Sequence, residues 1–186
     1  GKKLEEYEKT QKENKFQKDT DLKNEIELIK NELKKFKIKP DYKNSLDLNE
    51  NLKNLNKQLN KLKIENIKKD KSKNIIKDKK IGNIIIREQT LKDFPSKELR
   101  GIIDQGKKDI KSGVVACIST FEDKVGLAVG VTQDLTSKYD AVDLVKAASE
   151  ILGGKGGGGR KDFAQAGGVD KDKIEEAFKV ISKKIN

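Results

Sequence analysis

Residues 153–168 read Gly153-Gly154-Lys155-Gly156-Gly157-Gly158-Gly159-Arg160-Lys161-Asp162-Phe163-Ala164-Gln165-Ala166-Gly167-Gly168. Eight of the chain's 15 glycines fall in these 16 residues, and ordering a glycine costs more backbone entropy than ordering any other residue. Such density needs a reason. Glycine-rich turns string exposed backbone N–H groups into concave anion sites. They also let a second backbone come close, and here Lys155, Arg160 and Lys161 add positive charge. The competing reading is a solvated linker. Against it, Phe163-Ala164-Gln165-Ala166 leads back to a glycine pair, an apolar stretch of the kind that packs, so the segment reads as a loop for a ligand or nucleic acid. Two phosphate motifs are met by spacing alone. Gly154, Gly156 and Gly159 satisfy G-x-G-x-x-G but follow a helix instead of a strand, and Gly101 with Gly106-Lys107 is followed by Lys108 where a P-loop needs Ser or Thr.

Outward from this segment the pattern is mixed α and β. Before it, Ala141, Val142, Leu144, Val145, Ala148 and Ile151 supply one face of a helix from Asp140 to Leu152. After it, an Asp170 cap opens a helix through Ile174, Ala177, Phe178 and Ile181. Further upstream, 114–119 and 125–131 read as buried strands joined by the turn Glu122-Asp123-Lys124. Ile84-Ile85-Ile86 reads as a short strand, and Ser96 as the cap of a helix to Ile110 that buries Leu99, Ile102, Ile103 and Ile110. A small mixed sheet covered by helices is the expected architecture. Cys117, between Ala116 and Ile118, reads as a small buried hydrophobe.

The composition breaks near Ile81. Residues 1–80 hold 24 Lys, no Arg and 15 acids, whereas 81–186 hold 18 basic and 16 acidic residues. After Gly1 the next glycine is Gly82, and a long glycine-free segment suits helices. Leu22, Ile26, Ile29, Leu33 and Phe36 are spaced 4, 3, 4, 3, and Leu48, Leu52, Leu55, Leu59 and Leu62 repeat that spacing beyond Pro40. Alternation of 4 and 3 is the a/d stripe of a coiled coil, and proline stops a helix. The stretch 1–80 is therefore predicted to be an antiparallel helical hairpin with a short turn. Backward the seam holds Lys18, Lys15 and Gln11 before Leu4, which reads as fraying or as a face for a missing partner. The run 68–80 has seven Lys in 13 residues, either a solvated helix face or a phosphate contact. The predicted fold class is α+β: a helical arm over 1–80, then a small globular domain over 81–186.

Composition also excludes chemistry. The chain has no His, hence no imidazole base, no His metal site and no Ser-His-Asp triad. One Cys permits no internal disulfide and fits a reducing compartment, so a cytoplasmic location is expected. No apolar run approaches the ~20 residues of a membrane span, and no membrane partner is expected. A chain opening with Gly1 and containing no Met reads as a fragment or a trimmed chain.

On its glycine cluster followed by Ala164-Gln165-Ala166-Gly167-Gly168, the chain resembles the C-terminal domain of alanyl-tRNA synthetases. That region is a coiled-coil hairpin plus a small α/β domain related to the substrate-binding domain of DHH-type phosphoesterases. The phosphoesterases tend to carry a His within the corresponding motif, and its absence here favours the synthetase branch. The resemblance implies a tRNA-binding module that follows the aminoacylation and editing domains of one parent chain, an alanine–tRNA ligase. It implies that the module holds the tRNA elbow, of tRNA-Ala above all, so that both centres work on one tRNA.

Residue by residue, the resemblance puts Gly153, Gly154, Gly156, Gly157, Gly158 and Gly159 in an RNA-facing loop. Arg160 and Lys161 become phosphate contacts and Gln165 a polar side chain fixed near the loop; with Lys155, which its charge and place on the loop add to the electrostatic contact, and Gly167-Gly168, these are the expected tRNA-binding residues. Arg160-Lys161 departs from the Arg-Pro pairing common in the family and implies a less rigid loop. No catalytic residue, metal ligand or cofactor is expected in this chain. The alternative function is an oligomerisation element joining synthetase subunits as a homodimer through the helical arm.

Overall fold

A computed structural model describes residues 1–185; Asn186, the last residue of the predicted globular domain, lies outside them. The chain divides into two compact units, 1–66 and 67–186. In the first, α1 spans Lys2–Lys35 and α2 begins at Leu48 and runs to Lys69. The predicted seam forms: Ile26, Ile29 and Leu33 of α1 bury against Leu55 of α2, with Leu48, Leu52 and Leu59 packed around them. Phe36 does not join it and is 49% exposed. The reason is local. The helix stops at Lys35, Lys37 takes φ 59°, and the Lys37 and Ile38 N–H groups donate to the Lys34 and Leu33 carbonyls, a Schellman stop that swings Phe36 off the seam.

The connection over 36–47 is longer than the short turn expected from Pro40. Two polar side chains of α2 hold it. Asn51, fully buried, accepts from the Lys43 N–H and donates to the Lys43 and Leu46 carbonyls. Gln58 accepts from the Asp41 N–H and donates to the Lys39 carbonyl. The α1 seam beyond Lys18 is helical to Lys2, not frayed, with Leu4, Tyr7 and Phe16 exposed.

In the second unit a six-stranded sheet runs in the order β1-β2-β3-β4-β6-β5. The strands are β1 Asn74–Ile81, β2 Ile84–Lys92, β3 Gly113–Phe121, β4 Lys124–Val131, β5 Gly157–Gly159 and β6 Phe163–Gly168. Every pairing is antiparallel except β2 with β3, and that pair is joined by the crossover helix α3, Leu99–Ile110. Two further helices, α4 Ala141–Ile151 and α5 Ile174–Ile185, cover the opposite face. There Val114, Ala116 and Ile118 of β3 and Leu127 and Val129 of β4 meet Leu144, Val145, Phe178 and Ile181. The intervening residues turn to α3, as strand alternation requires: a Cβ on Gly106 would sit 2.8 Å from a Val115 methyl carbon.

Three element boundaries differ from those expected of the sequence. Asn74–Ile81, read as part of the arm, is an edge strand registered residue for residue on β2. The turn Gly82-Asn83, with Gly82 at φ +60°, is a two-residue hairpin signal; it puts Lys77, Lys79 and Lys80 of the lysine-rich run in the sheet, while Lys68 and Lys69 end α2, and the division of the chain falls at Asn66. Ser96 opens a 3-10 turn, and α3 starts only at Leu99. Asp170 likewise precedes a 3-10 turn, Lys171–Lys173, with no side-chain cap. Asp140 does cap α4, its carboxylate accepting from the Val142 N–H at 2.9 Å.

Candidate nucleic-acid interface

The glycine segment is an antiparallel ribbon at the sheet edge, where the sequence suggested a loop. It leaves α4 through Gly153, at φ +76°. The Gly153 N–H donates to the Glu150 carbonyl and the Gly154 N–H to the Ser149 carbonyl, the paired bonds of a Schellman cap. A Cβ on Gly154 would run into the Gly167 carbonyl oxygen. These two glycines thus end a helix and let β6 pass close by. Ser149, fully buried, ties the crossing together by donating to the Gly167 carbonyl at 3.0 Å. Gly156 follows at φ +104° with open space where a Cβ would be.

β5 then pairs with β6, Gly157 opposite Ala166, Gly158 opposite Gln165 and Gly159 opposite Ala164. Arg160 and Phe163 exchange both backbone hydrogen bonds across the turn, at 2.7 and 3.3 Å. By antiparallel alternation the next hydrogen-bonded pair is Gly158 with Gln165, so the N–H groups of Gly157 and Gly159 point to the open edge. A Cβ on Gly157 would run into the Gln165 carbonyl and lie 2.8 Å from a Val145 methyl carbon on α4. Gly158 faces the other way, with nothing within 4 Å of where a Cβ would stand.

On the α3 side the ribbon forms a shelf. Phe163, Gln165 and Gly167 share that face, and Gly158 stands beside Gln165. The strand from Phe163 to Gly168 is roughly 17 Å long at strand rise. Gly158 and Gly167 are exposed and Gln165 half-buried, so the shelf is mostly backbone. Phe163 is 9% exposed. It is wall rather than stacking platform, as its apolar neighbours suggested.

Charge gathers at the turn end. Arg160 pairs with Asp162 at 3.5 Å, and Lys161 is exposed beside it. Two further cations come from α3. Arg100 lies 5.1 Å above the Phe163 ring, and the Lys107 ammonium donates to the Asp162 carbonyl at 2.7 Å. Burial lowers the pKa of Lys107; Arg100 and Arg160 lower it further, and Asp162 and Asp104 oppose them. The sequence reading missed Arg100 and Lys107 because they lie far away in the chain. Their spacing of seven residues, two turns on one helix face, was the available signal. Lys155 sits apart, before β5, at the Gly167 end of the ribbon. The arrangement can hold phosphate through its cations and the open N–H groups, and it leaves a flat surface between. Cys117 is fully buried and burial pushes its thiol pKa up, so it is a core residue and no nucleophile. Among the described residues no helix is long and apolar enough to cross a membrane.

Known proteins resemble the chain over this second unit. The alanine–tRNA ligase of Rhodopseudomonas palustris is 50% identical over 103 residues, 55% of this chain and 12% of the ligase. That of Bradyrhizobium diazoefficiens is 48% identical over 106 residues, 56% of this chain and again 12% of the ligase. The chain thus spans about an eighth of the length of these relatives. Among solved structures, the C-Ala domain of Aquifex aeolicus alanyl-tRNA synthetase superposes with a TM-score of 0.55 at 30% identity, covering 58% of this chain and 96% of that domain. The α+β fold and the resemblance to the C-terminal domain of alanyl-tRNA synthetases therefore hold. Residues 82–186 match the DHHA1 domain, more than half of the chain, and the chain belongs to that family.

Proposed function

We propose that this chain is the C-terminal tRNA-binding module of an alanyl-tRNA synthetase, holding the tRNA elbow so that aminoacylation and editing act on one tRNA. The observation that carries the reading is the bare shelf on β5 and β6. Sequence-specific readers of RNA offer several aromatics to splayed bases. Here the one aromatic of the ribbon, Phe163, is buried, and the surface is backbone with cations at its turn end. Such a surface suits a flat, preformed RNA feature such as the base pair at a tRNA elbow. The chain itself contributes binding and no chemical step; aminoacylation and editing belong to other domains of the parent chain.

The test is the affinity of the 186-residue chain for folded tRNAs of several identities and for an isolated acceptor-stem helix. Folded tRNAs should agree within about tenfold, ~1.4 kcal/mol, and the elbow-less helix should bind much more weakly. Equal affinity for the helix and for full tRNA would sink the reading.

A second reading rests on the arm. Leu4 and Tyr7, neighbours one turn apart on α1, are 59% and 61% exposed. They favour pairing of two parent chains through the arm. Sedimentation over a range of concentrations separates the readings, since only a dimerising arm shifts by mass action.

A further inference from the structure

A cavity of about 550 Å³ opens at the Gly167 end of the shelf, below the 3-10 turn at Ser96, a volume within the range of small-molecule sites. Its floor is backbone, where Gly126 of β4 pairs with Gly167 of β6. At its mouth Phe121 is 43% and Val169 63% exposed, two apolar side chains held in water around one opening. Ser119 also lines it. That residue is 1% exposed, and its hydroxyl finds no hydrogen-bond partner among the described residues, an uncommon state for a buried polar group. The rim carries Lys97 and Lys124, both exposed. The acids of the adjoining turn are partly engaged: Lys171 lies 3.7 Å from the Asp123 carboxylate and donates to the Glu122 carbonyl.

We infer that this cavity takes a single unpaired nucleotide of the bound RNA, its base against Phe121 and Val169 and its phosphate on Lys97 and Lys124. Each part of a nucleotide has its counterpart there. The flat base meets the exposed side chains of Phe121 and Val169, the backbone of Gly126 and Gly167 floors the space, and the phosphate meets two lysines. The shelf, by contrast, offers backbone and no stacking ring. The choice of RNA as the source of the nucleotide rests on the function proposed above.

The probe is a nucleoside 5′-monophosphate, titrated into the isotope-labelled 186-residue chain and followed by NMR. The Val169 methyls and the Gly126 and Gly167 amides should shift saturably with a Kd on the order of 1 mM. Phe121→Leu, which keeps apolar bulk and removes the ring, should weaken that binding about tenfold. Lys124→Ala should weaken it in a salt-dependent way. Inorganic phosphate titrated alone should leave the Val169 methyls unmoved; the same shifts with phosphate alone would overturn the assignment of a base. Binding to folded tRNA is measured in parallel. Tight tRNA binding without a saturable Val169 shift overturns the pocket alone, and a saturable nucleotide shift without tRNA binding overturns the tRNA reading alone.

Discussion

Gly157 and Gly158 are neighbours of one residue type with opposite surroundings. A side chain on Gly157 would point at α4 and strike the Gln165 carbonyl and Val145, whereas one on Gly158 would point into open space above the shelf. Gly157→Val should therefore destabilise the fold by about 1–3 kcal/mol, the usual cost of overpacking, seen as a lower urea midpoint. Gly158→Val should leave that midpoint nearly unchanged and roughen the shelf, so its effect should be a reduced preference for folded tRNA over an acceptor-stem helix. A stable Gly158→Val chain that keeps the full preference would move the RNA away from this face. Loading Gly157 would confuse the two effects, which nothing in the run Gly156-Gly157-Gly158-Gly159 reveals by itself.

Two side chains act as pins at the scale of elements. Leu33, fully buried against Leu55, sits at the centre of the arm's seam. Leu33→Ala should destabilise the arm by about 2–4 kcal/mol through reduced burial and the cavity left behind, whereas Leu28→Ala, at a position 71% exposed, should change it by less than ~0.5 kcal/mol. Helical circular dichroism during urea denaturation reports both. Arg87 of β2 clamps the other unit. Its guanidinium donates to Asp78 on β1 at 2.9 and 3.1 Å and to Asp109 on α3 at 2.8 Å.

These bonds, with one from Gln105, hold the Asp109 pKa below its ordinary 3.8. A carboxyl with a lowered folded pKa adds stability that is present above the ordinary value and is lost as pH falls through the folded value. Asp109→Asn should thus be less stable than the unmodified chain at neutral pH. The difference should begin to shrink as pH falls below 3.8 and close only below the still lower folded value, a convergence visible in urea midpoints measured across that range. A gap that persisted at the lowest pH would assign the loss to geometry instead of charge.

Charge and shape part company at the scale of the whole molecule. The net charge is +11, and residues 1–80 alone contribute 24 Lys against 15 acids. Much of that charge lies on the exposed flanks of two helices and on the edge strand β1. If the shelf binds the RNA, replacing Arg100, Arg160 and Lys161 together by Ala should weaken tRNA binding and flatten its salt dependence by roughly one unit of slope for each phosphate no longer neutralised. Replacing Lys155, at the far end of the ribbon, should add a smaller change. An unaltered slope would assign the electrostatics to the lysines of 68–80.

Features that depend on local periodicity and composition are legible in the order of residues alone. The 4-3 spacing carries the packed seam of the hairpin, because a narrow apolar stripe has one way to be buried. The apolar strands and helix faces carry the mixed sheet, and the Gly153–Gly168 run marks both the family and the candidate site. Which glycine does what depends on the folded surroundings. A helix cap at Gly153, a close crossing at Gly154, a packed Gly157 and an open Gly158 differ in what lies across from them, and that is set by β6 and α4. Tertiary structure also decided that Asn74–Ile81 leaves the arm for the sheet, since strand pairing with β2 satisfies eight residues' worth of edge that helix propensity cannot. Arg100 and Lys107 join the site for the same reason: side chains distant in the chain become neighbours only when α3 crosses over β3 and β4.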